Sequence, residues 1–286
     1  MKTQATAGIS LVVLGAMLGA AGAADIPVVK APEPVPNVWS WNGFYGGLNA
    51  GFASAQSDTT VTFLNTVTGA PLLPPAGSVT SGATSQSGWI GGGQIGYNFT
   101  ANNWLYGVEG DFQGTSEKGV GNFLCAAPAA VGGVAPAATC LTGAATFPPG
   151  APGTTLSVSQ ALNWFGTVRG RVGLLISPTA FGYITGGLGF GSVNTSGTLG
   201  SNNLAGGAIN TSFSNTQTNI GWTIGSGLEA RIAGTNLTAK VEYLFLDLGT
   251  FHNSVAQSAA TGIPIGSNIS SHIFDNIVRI GLNYKL

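Results

Sequence analysis

The sequence predicts an all-β protein, an eight-stranded antiparallel transmembrane β-barrel with long extracellular loops and short periplasmic turns. Charged residues form only 7% of the 286 residues, far below the roughly 25% of ordinary soluble domains. The mean hydropathy is nevertheless +0.31, and past the N-terminus no apolar run reaches the ~20 residues of a membrane helix. Segments rich in β-forming residues alternate instead between apolar and polar side chains, as strands with one lipid-facing side do.

The N-terminal 24 residues have the features of a secretory signal peptide. Lys2 precedes an apolar run from Ile9 to Ala20, and small residues follow it, so cleavage is expected near Ala23 or Ala24. Residues 25–40 contain four prolines, which predict an extended periplasmic leader rather than a packed element. The barrel is therefore predicted over residues 41–286, in the outer membrane, after export through the periplasm.

Eight segments with strand character follow the leader. They are residues 41–54, 87–99, 104–115, 160–176, 180–193, 215–231, 236–249 and 272–286. Short links at 100–103, 177–179 and 233–235 alternate with links of about 20 to 40 residues. Short turns on one side and long loops on the other are typical of an outer-membrane barrel, whose even strand number brings both ends to the periplasmic side.

Almost every charge on these strands falls at an alternating position that faces the lumen. In the last strand, for example, Val278 and Ile280 flank Arg279. The predicted lumen charges are Glu109, Asp111, Arg169, Arg171, Glu229, Lys240, Glu242 and Arg279. An eight-stranded barrel has an interior just wide enough for side chains to fill, so we expect these charges to pair across the lumen and plug it. A narrow polar conduit is the alternative interpretation.

Neighbouring strands place three of these charges opposite three others at similar depth. Glu109 is expected beside Arg169, Glu229 beside Lys240 and Glu242 beside Arg279, with Asp111 and Arg171 close by. Buried ion pairs lose hydration energy. We therefore interpret them as fixing strand register and filling the lumen rather than as a large source of stability.

Aromatic residues cluster near the strand ends and predict two interfacial girdles. The periplasmic girdle would contain Trp41, Phe44, Tyr97, Phe99, Trp104, Tyr106 and Tyr284. The outer girdle would contain Phe52, Trp89, Phe112, Trp164, Phe190 and Phe274.

Both cysteines, Cys125 and Cys140, lie in the second long loop. In an exported chain they predict a disulfide, with two free thiols as the alternative. No histidine or further cysteine lies near them, so neither a metal site nor a cofactor is expected.

The two histidines, His252 and His272, are predicted at the extracellular rim. Barrel enzymes such as lipid A deacylases and omptin-type proteases use histidine with serine or aspartate there, and Ser271, Asp247 and Asp275 are nearby in sequence. No spacing matches a nucleophile with its base and orienting group. We therefore expect a protein that is not an enzyme.

Several blocks of the sequence resemble a known family. WNGFYGGLNAGF at 41–52, NWFGTVRGRVG at 163–173, KVEYLFLDLG at 240–249 and the ending NIVRIGLNYKL resemble the small outer-membrane β-barrel proteins of alphaproteobacteria, the RopB-like group of the porin family. That group is similar in architecture to the OmpA and OmpX barrels. The resemblance implies an abundant envelope protein with surface-exposed loops and, for some members, a pore or ligand-binding role.

The chain departs from the family at its last residue. The family usually ends in an aromatic residue, whereas this chain ends in Leu286, with Tyr284 two positions earlier. The terminal residue still has the alternation of the strand. We therefore expect the barrel insertion machinery to recognise a weaker signal rather than none.

Two functions follow from these features. The first is a structural and surface-interaction role, with outer-membrane lipid, lipopolysaccharide and a host or surface ligand of the loops as partners. The alternative is a small porin that passes ions or small solutes. The formal net charge of -1 gives no basis for a nucleic-acid partner.

Overall fold

A computed structural model describes six segments of the chain. These are residues 39–65, 78–126, 139–142, 153–202, 208–256 and 265–286. The predicted signal peptide and all but the last two residues of the predicted leader lie outside the described residues. No helix long and apolar enough to cross a membrane occurs in these six segments.

The described residues form ten β-strands, all paired antiparallel. They are β1 (Gly43–Asn65), β2 (Ser78–Ala101), β3 (Trp104–Thr115), β4 (Lys118–Ala126), β5 (Thr139–Thr142), β6 (Gly153–Ser177), β7 (Ala180–Asn202), β8 (Ala208–Arg231), β9 (Leu237–Ala256) and β10 (Ile265–Lys285).

These strands build a closed ring with eight positions. β1 pairs with both β2 and β10, which closes the ring. β3 and its continuation β4 share the third position, because both pair with β6. The short strand β5 pairs with β4. The predicted eight-stranded antiparallel barrel is therefore confirmed.

Three tight turns lie at one end of the barrel, at the short links that the sequence predicts. They follow β2, β6 and β8. Asn102 in the first and Gly234 in the third adopt a left-handed backbone, with φ of 55° and 76°. Asparagine and glycine are the residues that tolerate this conformation best. Asn102 and Gly234 therefore allow the chain to reverse within a few residues in these two turns.

The predicted strand boundaries are wrong at the other end of the barrel. β1 continues to Asn65 rather than ending at residue 54, and β10 begins at Ile265 rather than at 272. β6, β7, β8 and β9 are also longer at this end. Much of the sequence assigned to long loops is therefore strand. The remaining parts of those loops, 66–77, 127–138, 143–152, 203–207 and 257–264, lie outside the described residues.

The long strands have two halves of opposite polarity. Near the short turns, β10 exposes Val278, Ile280 and Leu282 on its outer face and buries Arg279. Beyond Phe274, the outer face carries His272, Ser270 and Asn268, whereas Ile273 and Ile269 are buried inside. The first half is built for lipid outside and the second for water outside. We call the half of the long strands that lies beyond the level of Phe274 in β10 the stalk.

A β-bulge in β9 keeps the stalk interior apolar. The register between β9 and β10 shifts between Ile273 and Phe274, and Gly249 at this point has φ of 72°. Before the bulge Leu244 and Leu246 point inward, and after it Phe251 does. The extra residue thus restores the inward position for apolar side chains.

Buried apolar residues fill the barrel on both sides of the predicted charges. A first cluster lies above the charges, toward the stalk, and contains Ala53, Ala55, Ile90, Leu162, Phe165, Val193, Leu244, Leu246, Leu248, Phe251, Ile273 and Ile277. A second fills the stalk with Val61, Phe123, Leu156, Val158, Leu199, Val255 and Ile269. A third lies at the short-turn mouth and contains Trp41, Leu105, Phe181 and Tyr183.

Candidate functional site

The structure brings all eight predicted lumen charges into one layer inside the barrel. They come from five strands, β3, β6, β8, β9 and β10. None is more than 7% exposed. Four are cationic and four are anionic, so the layer is formally neutral. We call it the charge layer.

Arg169 is the centre of the charge layer. Its Nη2 lies 2.6 Å from Glu109 Oε1 and 2.9 Å from Asp111 Oδ2, and its Nη1 lies 3.0 Å from Glu242 Oε1. Its Nε donates to Thr167 Oγ1 at 2.9 Å. A planar guanidinium with several fixed donors can serve three carboxylates at once, which a lysine ammonium cannot do with the same geometry.

The other three cations complete the layer. Arg279 Nη2 lies 2.6 Å from Glu242 Oε2 and 2.8 Å from Asp111 Oδ2. Lys240 Nζ lies 2.8 Å from Glu109 Oε1, and Arg171 Nη1 lies 3.1 Å from Glu229 Oε2. Every carboxylate of the layer therefore has at least one cation within ion-pair distance.

The contacts of Lys240 and Arg171 differ from the pairing expected from the sequence. Glu229 is the register partner of Lys240 on the neighbouring strand, but Lys240 reaches across the lumen to Glu109, and Glu229 pairs with Arg171 instead. In a lumen this narrow, long side chains reach the opposite wall as easily as the next strand.

Neutral polar residues that the sequence interpretation missed also hold the charges. Tyr45 donates its hydroxyl to Glu109 Oε2 at 2.7 Å, and Tyr183 donates to Glu242 Oε1 at 2.9 Å. Asn98 Oδ1 accepts from Arg171 Nη2 at 2.7 Å, and Asn283 donates to Glu229 at 2.9 Å. All four share the inward alternation of the charges, which is the signal that could have identified them.

The charge layer is a network in which the charged groups pair with one another. Its carboxylates are already matched by cations, and within the six described segments no group of three or more His, Cys, Asp or Glu side chains is placed to hold a metal ion. Removing one member of an ion pair would leave a buried charge uncompensated, which is energetically costly. The ion pairs of the charge layer are therefore expected to stay together.

The histidine region lies on the outer wall of the barrel. His272 Nε2 is 3.3 Å from Asp247 Oδ1, and its Nδ1 is 3.2 Å from Thr250 Oγ1. Ser271 and Asp275 instead point into the barrel and are buried. The structure thus separates the predicted rim serine from the histidine, and the remaining groups lie on the open outer face of two strands.

Most of the predicted girdle residues are exposed on the outer wall. The stacked or edge-on pairs Phe52–Trp89 and Phe112–Trp164 mark the outer girdle. Trp41 is an exception, because it is only 5% exposed and packs against Phe181 inside the mouth. Its assignment to the periplasmic girdle is therefore wrong, because the Trp41 side chain lies inside the barrel mouth and not on the outer wall at the membrane interface.

A closed ring with an apolar outer band defines an integral outer-membrane β-barrel protein. The chain belongs to the family described as the outer membrane protein beta-barrel domain, whose model matches residues 11–285. It is located in the outer membrane.

Relatives from alphaproteobacteria share this architecture. The chain is 32% identical to the 31 kDa outer-membrane immunogenic protein of Brucella melitensis biotype 1, over 92% of each chain. It is 25% identical to the 25 kDa outer-membrane immunogenic protein of Brucella abortus biovar 1, over 96% of this chain and 97% of the relative. These relatives confirm the resemblance to alphaproteobacterial outer-membrane barrels.

Solved structures give weaker similarities. Ail of Yersinia pestis, solved in complex with the heparin analogue sucrose octasulfate, matches 84% of this chain and 99% of its own with 11% identity and a TM-score of 0.30. The outer membrane protease OmpT of Escherichia coli matches 85% of this chain and 96% of its own with 10% identity and a TM-score of 0.40.

Proposed function

We propose that this protein is a non-enzymatic structural and surface-interaction protein, whose plugged barrel anchors a rigid β-stalk on the cell surface. The observation that supports this proposal is the filling of the lumen at successive levels. The mouth holds Trp41 and Phe181, the charge layer follows, and two apolar clusters occupy the interior beyond it.

A solute would have to displace all of these levels to cross the barrel. A hydrated ion would meet the charge layer as a set of paired charges rather than as free ligands. Above that layer, Phe165, Phe251 and Leu246 are each at most 1% exposed, and they offer the ion no polar group. Buried polar residues such as Gln113, Glu117 and Asp275 also line the interior at this level, so the narrow polar conduit is the alternative that conductance measurements must test.

The stalk is the part of the protein suited to contact partners. β1 continues from Phe52 in the outer girdle to Asn65, which corresponds to roughly 30 Å of height for a tilted strand. Its outer face there carries Ser54, Gln56 and Asp58, all exposed. A wall of hydroxyl and amide groups can hydrogen-bond to sugars of lipopolysaccharide at its base and to a host or surface ligand at its tip.

Planar-bilayer recording tests the plug directly. We expect the refolded mature protein to show no steady open-channel current, because the charge layer and the apolar clusters block ion passage. Insertion would be verified on the same sample by the change in gel mobility on heating. Steady currents that change in ion selectivity when Glu109 is replaced by Gln would contradict the plug and favour the small porin.

The proposal includes a disulfide at the end of the stalk. The register of β4 and β5 places Cys125 directly opposite Cys140, and directly opposed residues have Cα separations of about 4.5 to 5.5 Å, within the range of a disulfide. We expect no alkylation of denatured protein until a reductant is added, and two alkylated cysteines afterwards. Labelling of both cysteines without reductant would show free thiols, and the C125S/C140S variant controls for non-specific labelling.

A further inference from the structure

Two acidic residues lie side by side inside the barrel, above the charge layer and apart from its cations. Glu117 and Asp275 are 0% and 1% exposed, and their carboxyl groups lie within hydrogen-bond distance of each other. Within the described segments, no basic side chain lies within ion-pair distance of either residue, whereas all four carboxylates of the charge layer are paired. We call Glu117 and Asp275 the acidic pair.

Small residues on the inner wall allow the acidic pair to form. Glu117 follows β3, and its backbone packs against Gly88 of β2, where an added Cβ would lie 2.5 Å from Glu117 N. Gly88 is opposite Ala53 of β1. The next inward residue of β1, Ala55, is opposite Asp275. Because the residues between them have little or no side chain, Glu117 reaches across two strands to Asp275.

The oxygen atoms of the acidic pair lack donors. Thr115 Oγ1 donates to Glu117 Oε1 at 3.0 Å, but no side-chain donor among the described residues reaches Glu117 Oε2 or either oxygen of Asp275. Ionised carboxylates only accept hydrogen bonds, so neither group can satisfy the other. Because unpaired buried charge is costly, two such carboxyl groups must either share a proton or hold a cation.

A buried amide on the same inner wall favours the cation. Gln113 lies four residues before Glu117 and is 0% exposed, and neither its amide oxygen nor its amide nitrogen has a partner among the described residues. Its Oε1 lies 2.6 Å from the place where a Cβ of Gly92 would be, so the side chain extends from β3 toward β2, as Glu117 does. Carboxylate, amide and water oxygens are the ligands of hard divalent cations.

Polar side chains connect the acidic pair with the tip of the stalk. On the inner face of β10, Ser271 and Ser267 precede Asp275 at intervals of four residues, and both are buried. Ser271 Oγ lies 2.9 Å from Thr59 Oγ1, and Ser267 Oγ has no partner within the six described segments. Toward the charge layer, by contrast, Ile277 is 0% exposed, and the cations beyond it repel a further cation. A cation would therefore enter from the cell surface.

We propose that the acidic pair binds a hard divalent cation, such as calcium, that enters the stalk from the cell surface. Glu117 Oε2 and the two Asp275 oxygens contact the ion, and the Gln113 amide oxygen and water complete its coordination. Its two positive charges balance the two carboxylates. The bound ion joins the end of β3 to β10 at the base of the stalk. This site goes beyond the proposed surface role and does not depend on a partner of the stalk.

Calorimetric titration with calcium chloride tests this proposal. The mature protein would be refolded in detergent without lipopolysaccharide, stripped of metal with a chelator that is then removed, and titrated at mildly alkaline pH, where carboxyl groups are most readily ionised. We expect one calcium ion to bind per barrel. The E117Q/D275N variant keeps both side-chain volumes but loses both charges, so it should lose this binding. E117Q alone should weaken the affinity by at least about tenfold, because one charged ligand is lost.

D58N/D247N is the matched control, because it removes two carboxylates from the outer wall of the same barrel. This variant should bind calcium as the unmodified protein does. No binding by the unmodified protein would mean that a shared proton holds the acidic pair, and it would overturn the site. Equal binding by E117Q/D275N, or an equal loss in D58N/D247N, would place the calcium elsewhere and overturn it as well. The heat-dependent gel shift verifies that each variant is folded.

Discussion

Replacing Arg169 by Met is expected to destabilise the folded barrel by about 3 to 5 kcal/mol, the range for breaking a buried ion pair by removing one partner. Arg169 contacts Glu109, Asp111 and Glu242 within 3.0 Å, so its loss takes one cation away from three buried carboxylates and leaves the charge layer with an excess negative charge. The methionine side chain keeps most of the volume, which separates the loss of charge from the creation of a cavity. Reversible urea unfolding in lipid vesicles measures the change in the free energy of unfolding.

K118M is the matched control for this experiment. Lys118 is exposed and has no ion pair within the described segments, so its replacement should change the free energy of unfolding by less than about 0.5 kcal/mol. Adding Glu109→Gln to Arg169→Met should recover part of the loss, because the double variant removes the excess negative charge and makes the charge layer neutral again. A cost for Arg169→Met no larger than that of K118M would show that the charge layer does not act as a paired network.

An arginine introduced at Leu48 is expected to destabilise the barrel by about 2 to 4 kcal/mol, whereas one introduced at Gln56 should cost almost nothing. Leu48 is 72% exposed on the outer face of β1, midway between Phe44 and Phe52 of the two girdles. Gln56 lies eight residues further along the same face and in the stalk. The two variants place the same charge on the same strand, once in lipid and once in water.

Unfolding midpoints of both variants in the same vesicles decide this prediction. The difference between them measures the change in polarity along β1, because strand, face and introduced side chain are identical. Equal costs at the two positions would mean that the apolar band extends over the stalk or that β1 does not cross the membrane between these residues.

The membrane half of the barrel could be predicted from the sequence because its signals are local. Val278 and Ile280 alternate with Arg279, and two of the three tight turns carry Asn102 or Gly234 where the backbone reverses. Because lipid lies outside the barrel and a narrow lumen inside it, the apolar residues of this alternation face outward and the charged residues face inward. The inward position of the eight charges follows from the same alternation.

The stalk was missed because its alternation has the opposite polarity and is weaker. Ile269 and Ile273 in β10 alternate with Asn268, Ser270 and His272, a pattern that also occurs in surface loops rich in serine and asparagine. The boundary is further blurred in β9, where the bulge at Gly249 shifts the alternation by one residue. Only the pairing with neighbouring strands shows that these segments are strands.

The sequence by itself determined that alternate residues face lipid, which charges face inward, and where the chain turns at the short end. These properties depend on neighbours in the chain, so they are readable there. The tertiary structure decided which carboxylate each cation reaches, that apolar clusters lie inside the barrel on both sides of the charges, and that Trp39 meets Arg231 and Lys285. These contacts join residues from distant strands, and their geometry exists only once the ring has closed.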